Sequence, residues 1–264
     1  CFSNLTTNEP MRIENHFRMG SVTKTFTGTI VLKLVEEGKI NLDSPLAYYL
    51  PQYNFQKANK ITVRMLGNMT SGISSYSSDQ DWVQSNLANN WETVWTADDL
   101  VKVALKHPLD FEPGTKYNYS NTTSVLLGLI CEKVTGKTMK ELFEEKIFKK
   151  YNLNDTFWPE NRYMHAPYSH GYSKMNSANE FMDMTLINPS WGGASGNLIS
   201  NIYDLNKWIK MLGTGSLYSS AMHAERVKWA TGSNNMYGFA IFNALGDLNT
   251  LMLGHTGAIW GYNT

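Results

Sequence analysis

The 264-residue sequence predicts an α+β fold: an antiparallel sheet flanked by helices, with a largely helical lobe made by the middle of the chain. Three observations carry that expectation. Helical runs with cap and stop residues dominate the middle, and alternating segments with glycine turns gather near the end. A composition of 42% hydrophobic and 17% charged residues is that of a chain able to bury a substantial core. The length allows one domain or two closely packed ones, and residues 1–264 are read as a single unit. About 1–60 and 190–264 are assigned to the sheet, and about 61–189 to the helical lobe.

The elements follow in order. His16–Gly20 is extended and leads into Ser21, then a helix from about Val22 to Glu37 uses Ile30 and Leu34 on its apolar side and stops at Gly38. A turn-like segment at Asp43 to Pro45 runs on to Pro51, and Thr62 caps a short helix that closes at Thr70 to Gly72. Ile73 to Trp95 lacks periodicity and reads as an excursion near a pocket mouth. Its three tryptophans, Trp82, Trp91 and Trp95, are either binding aromatics or packing for that excursion. Thr96 with Asp99 starts a helix through Lys106, Pro113-Gly114 turns, and an apolar helix from about Thr123 to Val134 stops near Gly136. A further helix, Met139 to Lys149, starts behind Thr138. Gly192, Gly193 and Gly196 surround Ser195, and Ser200 or Asn201 caps a helix over the following residues. Residues 236–243 and 248–257 read as hairpin strands joined around Gly246-Asp247. A last strand at Gly257 to Tyr262 leaves a sheet whose next partners are missing, so the chain is either a piece or is completed by another segment.

Composition excludes several functions. Lys plus Arg number 23 and Asp plus Glu 23, so the net charge is zero and nothing draws the chain to nucleic acid or anionic lipid. The basic cluster at 146–150 reads as a solvated helix face. No apolar run reaches a membrane span, since even TIVLKLV carries Lys33. Two cysteines make no disulfide framework and no zinc spacing. Cys131 reads as a small core residue. Cys1 is either the lipid-bearing first residue of a mature bacterial lipoprotein or simply the point where the chain begins, and the second reading is preferred.

Three short motifs carry chemistry. Ser21-Val22-Thr23-Lys24 sets a hydroxyl and an amine on one face at the start of a helix. Serine is a weak nucleophile until a base takes its proton, and lysine serves only if burial and the positive helix end lower its pKa. Taken alone this pair reads equally as an N-cap and a surface lysine. Tyr119-Ser120-Asn121 offers a phenol for proton exchange and an amide for a substrate carbonyl. Its bland alternative is a tyrosine over a turn with Asn121 capping the next helix. His255-Thr256-Gly257 offers an imidazole, a hydroxyl and a position where backbone can approach a substrate, with the Ala258 N–H aimed at the reacting carbonyl. Isolated, it is a hairpin-edge histidine.

Together the three pieces resemble the boxes of the serine β-lactamase and penicillin-binding protein superfamily, Ser-x-x-Lys, Tyr-x-Asn and Lys/His-Thr-Gly. Their order looks like the branch of class C β-lactamases and the Streptomyces-type D-alanyl-D-alanine carboxypeptidase. Surrounding text such as FRMGSVTKTFTG, FEPGTKYNYSNTTSVLLGLICEKVTGK and GHTGAIWGY extends the resemblance over nearly the whole chain from Phe17.

The resemblance implies a β-lactamase/DD-peptidase-like fold whose terminal strands and helix are not among these residues, forming a single catalytic unit. It makes Ser21 the acylated nucleophile, Lys24 its proton partner, Tyr119 the phenolic acid/base and His255 a cleft residue where many relatives have lysine. Substrate contacts fall to Asn121, Thr256, Gly257 and Ala258, and to Trp191 as an aromatic wall with core packing as its rival. The oxyanion donors are Ser21 N–H and Ala258 N–H. Whether Lys24 or Tyr119 takes the first proton stays open. No metal or organic cofactor is implied. The partners are a small peptide, amide, ester or β-lactam substrate and, in a bacterium, peptidoglycan in an extracytoplasmic setting.

Two departures bear on specificity. The carboxypeptidase branch holds a terminal carboxylate with an arginine before the third box and a threonine after it. Here those places are Phe242 and Ala258, whose side chains cannot do so. A D-amino-acid amidase, D-aminopeptidase or esterase needs no such clamp. The rivals are therefore a class C-like β-lactamase, an amidase or esterase, and an idle penicillin-binding sensor.

Overall fold

Twelve of the fourteen residues of TKTFTGTIVLKLVE are buried, so this helix runs through the core rather than along its surface. In the computed structural model, which describes residues 1–174, 180–234, 236–246 and 249–264, it is α1 (Thr23–Glu36). A 3₁₀ turn over Gly20–Val22 precedes it, and Gly38 follows at φ 69°. One apolar side was expected, but burial is all round, because Phe26 stacks on Trp208 at 3.8 Å while the threonine hydroxyls are satisfied internally.

The helical lobe comprises α2 (Leu46–Tyr49), α3 (Val63–Gly67), α4 (Gln80–Ala88), α5 (Ala97–Leu105), α6 (Asn121–Thr135), α7 (Met139–Phe143) and α8 (Lys149–Tyr151), the last two joined by a π-helical turn over Glu144–Phe148. The caps are those expected from sequence. Thr62 accepts from Met65 N–H, Thr96 and Thr138 form capping boxes with Asp99 and Glu141, and Gly136 ends α6 in the left-handed region. The supposedly aperiodic excursion contains α4, capped by Asp79. Its pattern is disguised because the inward residues are Trp82 and the polar Asn86, whose amide holds Trp82 O and Trp95 Nε1.

Five antiparallel two-stranded ladders surround this body. They are β1 (Phe2–Asn4) with β2 (Glu9–Pro10), β3 (Phe17–Arg18) with β6 (Ile199–Ser200), β4 (Tyr172–Lys174) with β5 (Phe181–Asp183), β7 (Phe242–Asn243) with β8 (Leu253–Gly254), and β9 (Ala258–Ile259) with β10 (Tyr262–Asn263). The fold is α+β, with antiparallel sheet flanked by helices, as expected. The long strand expected over 236–243 is broken, however. Ala240 sits at φ 52°, its N–H bonds to Gly67 O, and Phe239 fills the space a side chain at Gly67 would need, so the chain doubles back and Tyr237 bridges Phe242. Gly246 turns at φ 61°, whereas Asp247 and Leu248 lie outside the described residues.

Three more helices complete the body: α9 (Gly193–Gly196), α10 (Ile202–Thr214), capped by Asn201, and α11 (Ser220–Arg226). Among the described residues no helix is long and apolar enough to cross a membrane.

Candidate active site

Ser21 lies in the 3₁₀ turn and Lys24 in the first turn of α1, so local helical geometry faces them together. Lys24 Nζ is 2.9 Å from Ser21 Oγ, 2.7 Å from Asn121 Oδ1 and 2.9 Å from Ser195 O. It is fully buried and has no carboxylate partner among the described residues. Burial therefore drives its pKa well below the ordinary lysine value.

Tyr119, just ahead of α6, hydrogen-bonds Ser21, and its ring lies 4.9 Å below Lys24 Nζ. Burial raises its phenol, so it stays protonated at neutral pH. Asn121 is held by its neighbours: its backbone N–H donates to Ser75 Oγ at 3.0 Å and Nδ2 to Ser77 Oγ at 2.9 Å. That leaves Oδ1 fixed toward Lys24.

His255 hydrogen-bonds at 2.5 Å through Nδ1 with Thr256 O, an acceptor only, so Nδ1 carries the proton. Nε2 faces Tyr237 OH at 3.4 Å. Burial first, then Lys24 and Arg226, push its pKa down to about 3, which makes the ring neutral. It meets Tyr119 through ring contact at 6.0 Å. Phe242 packs against both rings, stacked on Tyr119 at 6.4 Å and 4.6 Å from His255.

Gly257 and Gly20 bring the last hairpin against the turn that carries Ser21. A Cβ at Gly257 would lie 1.9 Å from Met19 O, and one at Gly20 would lie 2.8 Å from the Ala258 backbone. Gly257 and Thr264 exchange both backbone hydrogen bonds. The next pair, Ala258 with Asn263, is then a non-hydrogen-bonded one, so Ala258 N–H points away from β10, toward the Gly20 turn. Thr256 is exposed beside it.

Asn121 and Ala258 edge a cavity of about 390 Å³ whose other walls include Trp82, Trp91, Trp191 and Trp260. Trp82 and Trp91 are buried, so they both pack the lobe and line the cavity. Trp191 packs 5.4 Å from Trp91, and its carbonyl accepts from Tyr76 OH at 2.6 Å. No charged side chain lines this space. Two partners were not evident from sequence. Ser195 takes part through its backbone carbonyl, which no side-chain motif reveals. Trp260 follows the third motif by only three residues. Among the described residues no group of three or more His, Cys, Asp or Glu is placed to hold a metal ion.

Several known proteins are similar to this chain. The D-stereospecific amidohydrolase from Streptomyces sp. is 36% identical, with a TM-score of 0.87 over 95% of this chain and 77% of that one. The D-amino acid amidase from Ochrobactrum anthropi SV3, complexed with L-phenylalanine amide, is 25% identical, with a TM-score of 0.82 over 99% of this chain and 75% of that one. Protein flp of Staphylococcus aureus (strain COL) is 28% identical over 197 residues, which are 74% of this chain and 38% of the relative, so the chain spans well under half of that relative's length. These similarities support the superfamily and distant kinship with D-amino-acid amidases and penicillin-binding-protein-like proteins. They single out neither the class C nor the Streptomyces-type carboxypeptidase branch. Since the Beta-lactamase family model matches residues 2–264, the chain belongs to the beta-lactamase family.

Proposed function

We propose that the chain is a serine hydrolase that transfers an acyl group from an amide or ester to Ser21 and then to water. The observation that carries this reading is Lys24, buried without a carboxylate and hydrogen-bonded to Ser21 Oγ. A neutral amine keeps two N–H groups for Asn121 Oδ1 and Ser195 O and turns its lone pair to the Ser21 hydroxyl. Lys24 is thus the first base, and Tyr119, held protonated by burial, is the relay.

Ser21 Oγ bonds to the carbonyl carbon as its proton passes to Lys24, and Ser21 N–H and Ala258 N–H hold the oxyanion. The bond to the leaving nitrogen or oxygen breaks as Tyr119 gives it a proton, which Lys24 replaces. Water then attacks the acyl ester, losing its proton to Lys24, and Ser21 leaves with a proton restored.

The acyl group that fits best carries a bulky apolar or aromatic side chain, because the neighbouring cavity is walled by tryptophans and has no charge. D-configured amides are favoured by the likeness to the amidohydrolase and the amidase. Neutral His255, Phe242 and Ala258 provide no cation for a free terminal carboxylate, which sets D-alanyl-D-alanine carboxypeptidase activity behind amidase activity. Cell-wall peptides in an extracytoplasmic setting belong to the same proposal.

A hydrolysis panel tests it. D-phenylalanine amide is expected to turn over at least about tenfold faster than D-alanine amide, since filling the pocket is worth more than one methylene. Amidated and free-acid D-Ala-D-Ala peptides should differ little, Ser21→Ala should abolish turnover, and a fluorescent penicillin should label only the wild type. Strong preference for the free acid, or turnover by Ser21→Ala, would overturn the reading. Rapid cephalosporin hydrolysis would replace it with a β-lactamase.

A further inference from the structure

A second cavity, of about 330 Å³, lies behind the first. Its lining includes the indoles of Trp95 and Trp158, the apolar Leu129 and Met139, the carboxylate of Glu132 and the amide of Asn197. The two spaces share one segment of chain. Trp191 lines the front cavity, Gly193 and Ala194 line the rear one, and between them in the fold Ser195 O holds Lys24.

The charge in the lining of the rear cavity is negative, and one carboxylate there has no cation among the described residues. Glu132 uses Oε1 for Met139 N–H at 2.8 Å and makes no ion pair among the described residues. Asn197 is 2% exposed, and its Oδ1 has no hydrogen-bond partner among them. Ser190 Oγ, also on the wall, accepts from Trp95 N–H. At the rim the other carboxylate, Glu160, is already paired with Lys140 at 2.6 Å. Burial pushes the Glu132 carboxyl up, as expected of an acid that lacks a cation.

We propose that this rear cavity is a binding site for an organic monocation, an ammonium group on an apolar body, seated against Glu132 and Asn197 with the indoles of Trp95 and Trp158 around it. The unpaired carboxylate gains a donor from such a guest. Indole faces attract a desolvated cation, and the apolar wall takes the remainder of the molecule. An anion meets the Glu132 carboxylate here, and a neutral guest leaves that carboxylate unpaired. The front cavity has aromatic walls but no charged group, so it does not share this preference.

The experiment uses phenethylammonium, measured by isothermal titration against the whole chain, with 2-phenylethanol as the uncharged counterpart. Phenethylammonium is expected to bind at least tenfold more tightly than the alcohol. Glu132→Gln, which keeps the acceptor for Met139 N–H, should weaken the ammonium at least tenfold while leaving the alcohol unchanged. Trp158→Leu should weaken it as well, whereas Trp260→Leu, in the front cavity, should not. Equal binding of the two probes to the wild type, or undiminished ammonium binding by Glu132→Gln, overturns the site. If Glu132→Gln fails to fold, the wild-type comparison of the probes and the Trp158→Leu and Trp260→Leu pair decide it.

Discussion

Burial lowers the pKa of both Lys24 and His255, but with different consequences. For Lys24 the neutral form is the proposed working one, so kcat/KM should rise with pH through its lowered pKa. No separate limb is expected near 6.5, because His255 is already neutral there. A pH profile governed by a group titrating near 6.5, and lost in His255→Gln, would refute that assignment. For stability the sign is fixed by proton counts. Between its ordinary value and about 3, His255 binds fewer protons folded than unfolded, so stability present above pH 6.5 is lost as pH falls. Thermal melts from about pH 6 to pH 4 should therefore decline less steeply for His255→Gln than for the wild type. Parallel slopes would show that the imidazole is not buried neutral.

At the scale of elements, backbone meets backbone where the Gly20–Val22 turn contacts the last hairpin. Gly257→Ala places a methyl against Met19 O, which cannot rotate away, so β9 must shift and take Ala258 N–H with it. Losing one oxyanion donor lowers kcat by roughly 10²–10³. Steady-state kinetics of Gly257→Ala should show that fall in kcat while far-ultraviolet circular dichroism stays native, and an unchanged kcat would remove Ala258 from the site. Elements were unequally legible from sequence. Helices α5 and α7 announce themselves because a capping box is local, four residues from Thr96 to Asp99 or Thr138 to Glu141. Helix α4 does not, since Asn86 faces inward, where a periodic pattern demands an apolar residue. The strand over 236–243 misled for the opposite reason: its alternation is real, but Gly67 and Phe239 interlock and fold it back, a constraint set by a segment far away in sequence.

Across the whole molecule, α1 is tied to the tail by the buried side chain of Arg226. Arg226 donates to Thr29 Oγ1, Thr25 O, Tyr218 OH and Ala240 O, and its side chain is wholly buried. Arg226→Met removes bonds from α1, α11 and the turn beneath Phe242 together. It should cost on the order of 3 kcal/mol, a fall of roughly 6–12 °C in Tm, and a calorimetric shift within a degree of wild type would exclude that role. The three motifs made the front of the site readable, because each is a run of adjacent residues whose chemistry is in the side chains. Their assembly was not readable: Ser195 contributes a carbonyl, Arg226 lies in no motif, and the cavity is a product of four tryptophans spread from Trp82 to Trp260.

The meeting of Gly20 with the Ala258 backbone also has a temporal meaning. During synthesis Ser21 and Lys24 emerge well before Ala258, which carries half of the proposed carbonyl-polarising pair. On the proposed reading, a nascent chain carries a disarmed nucleophile until the Ala258 strand reaches the Ser21 turn, and hydrolytic competence reports that these two segments have found each other.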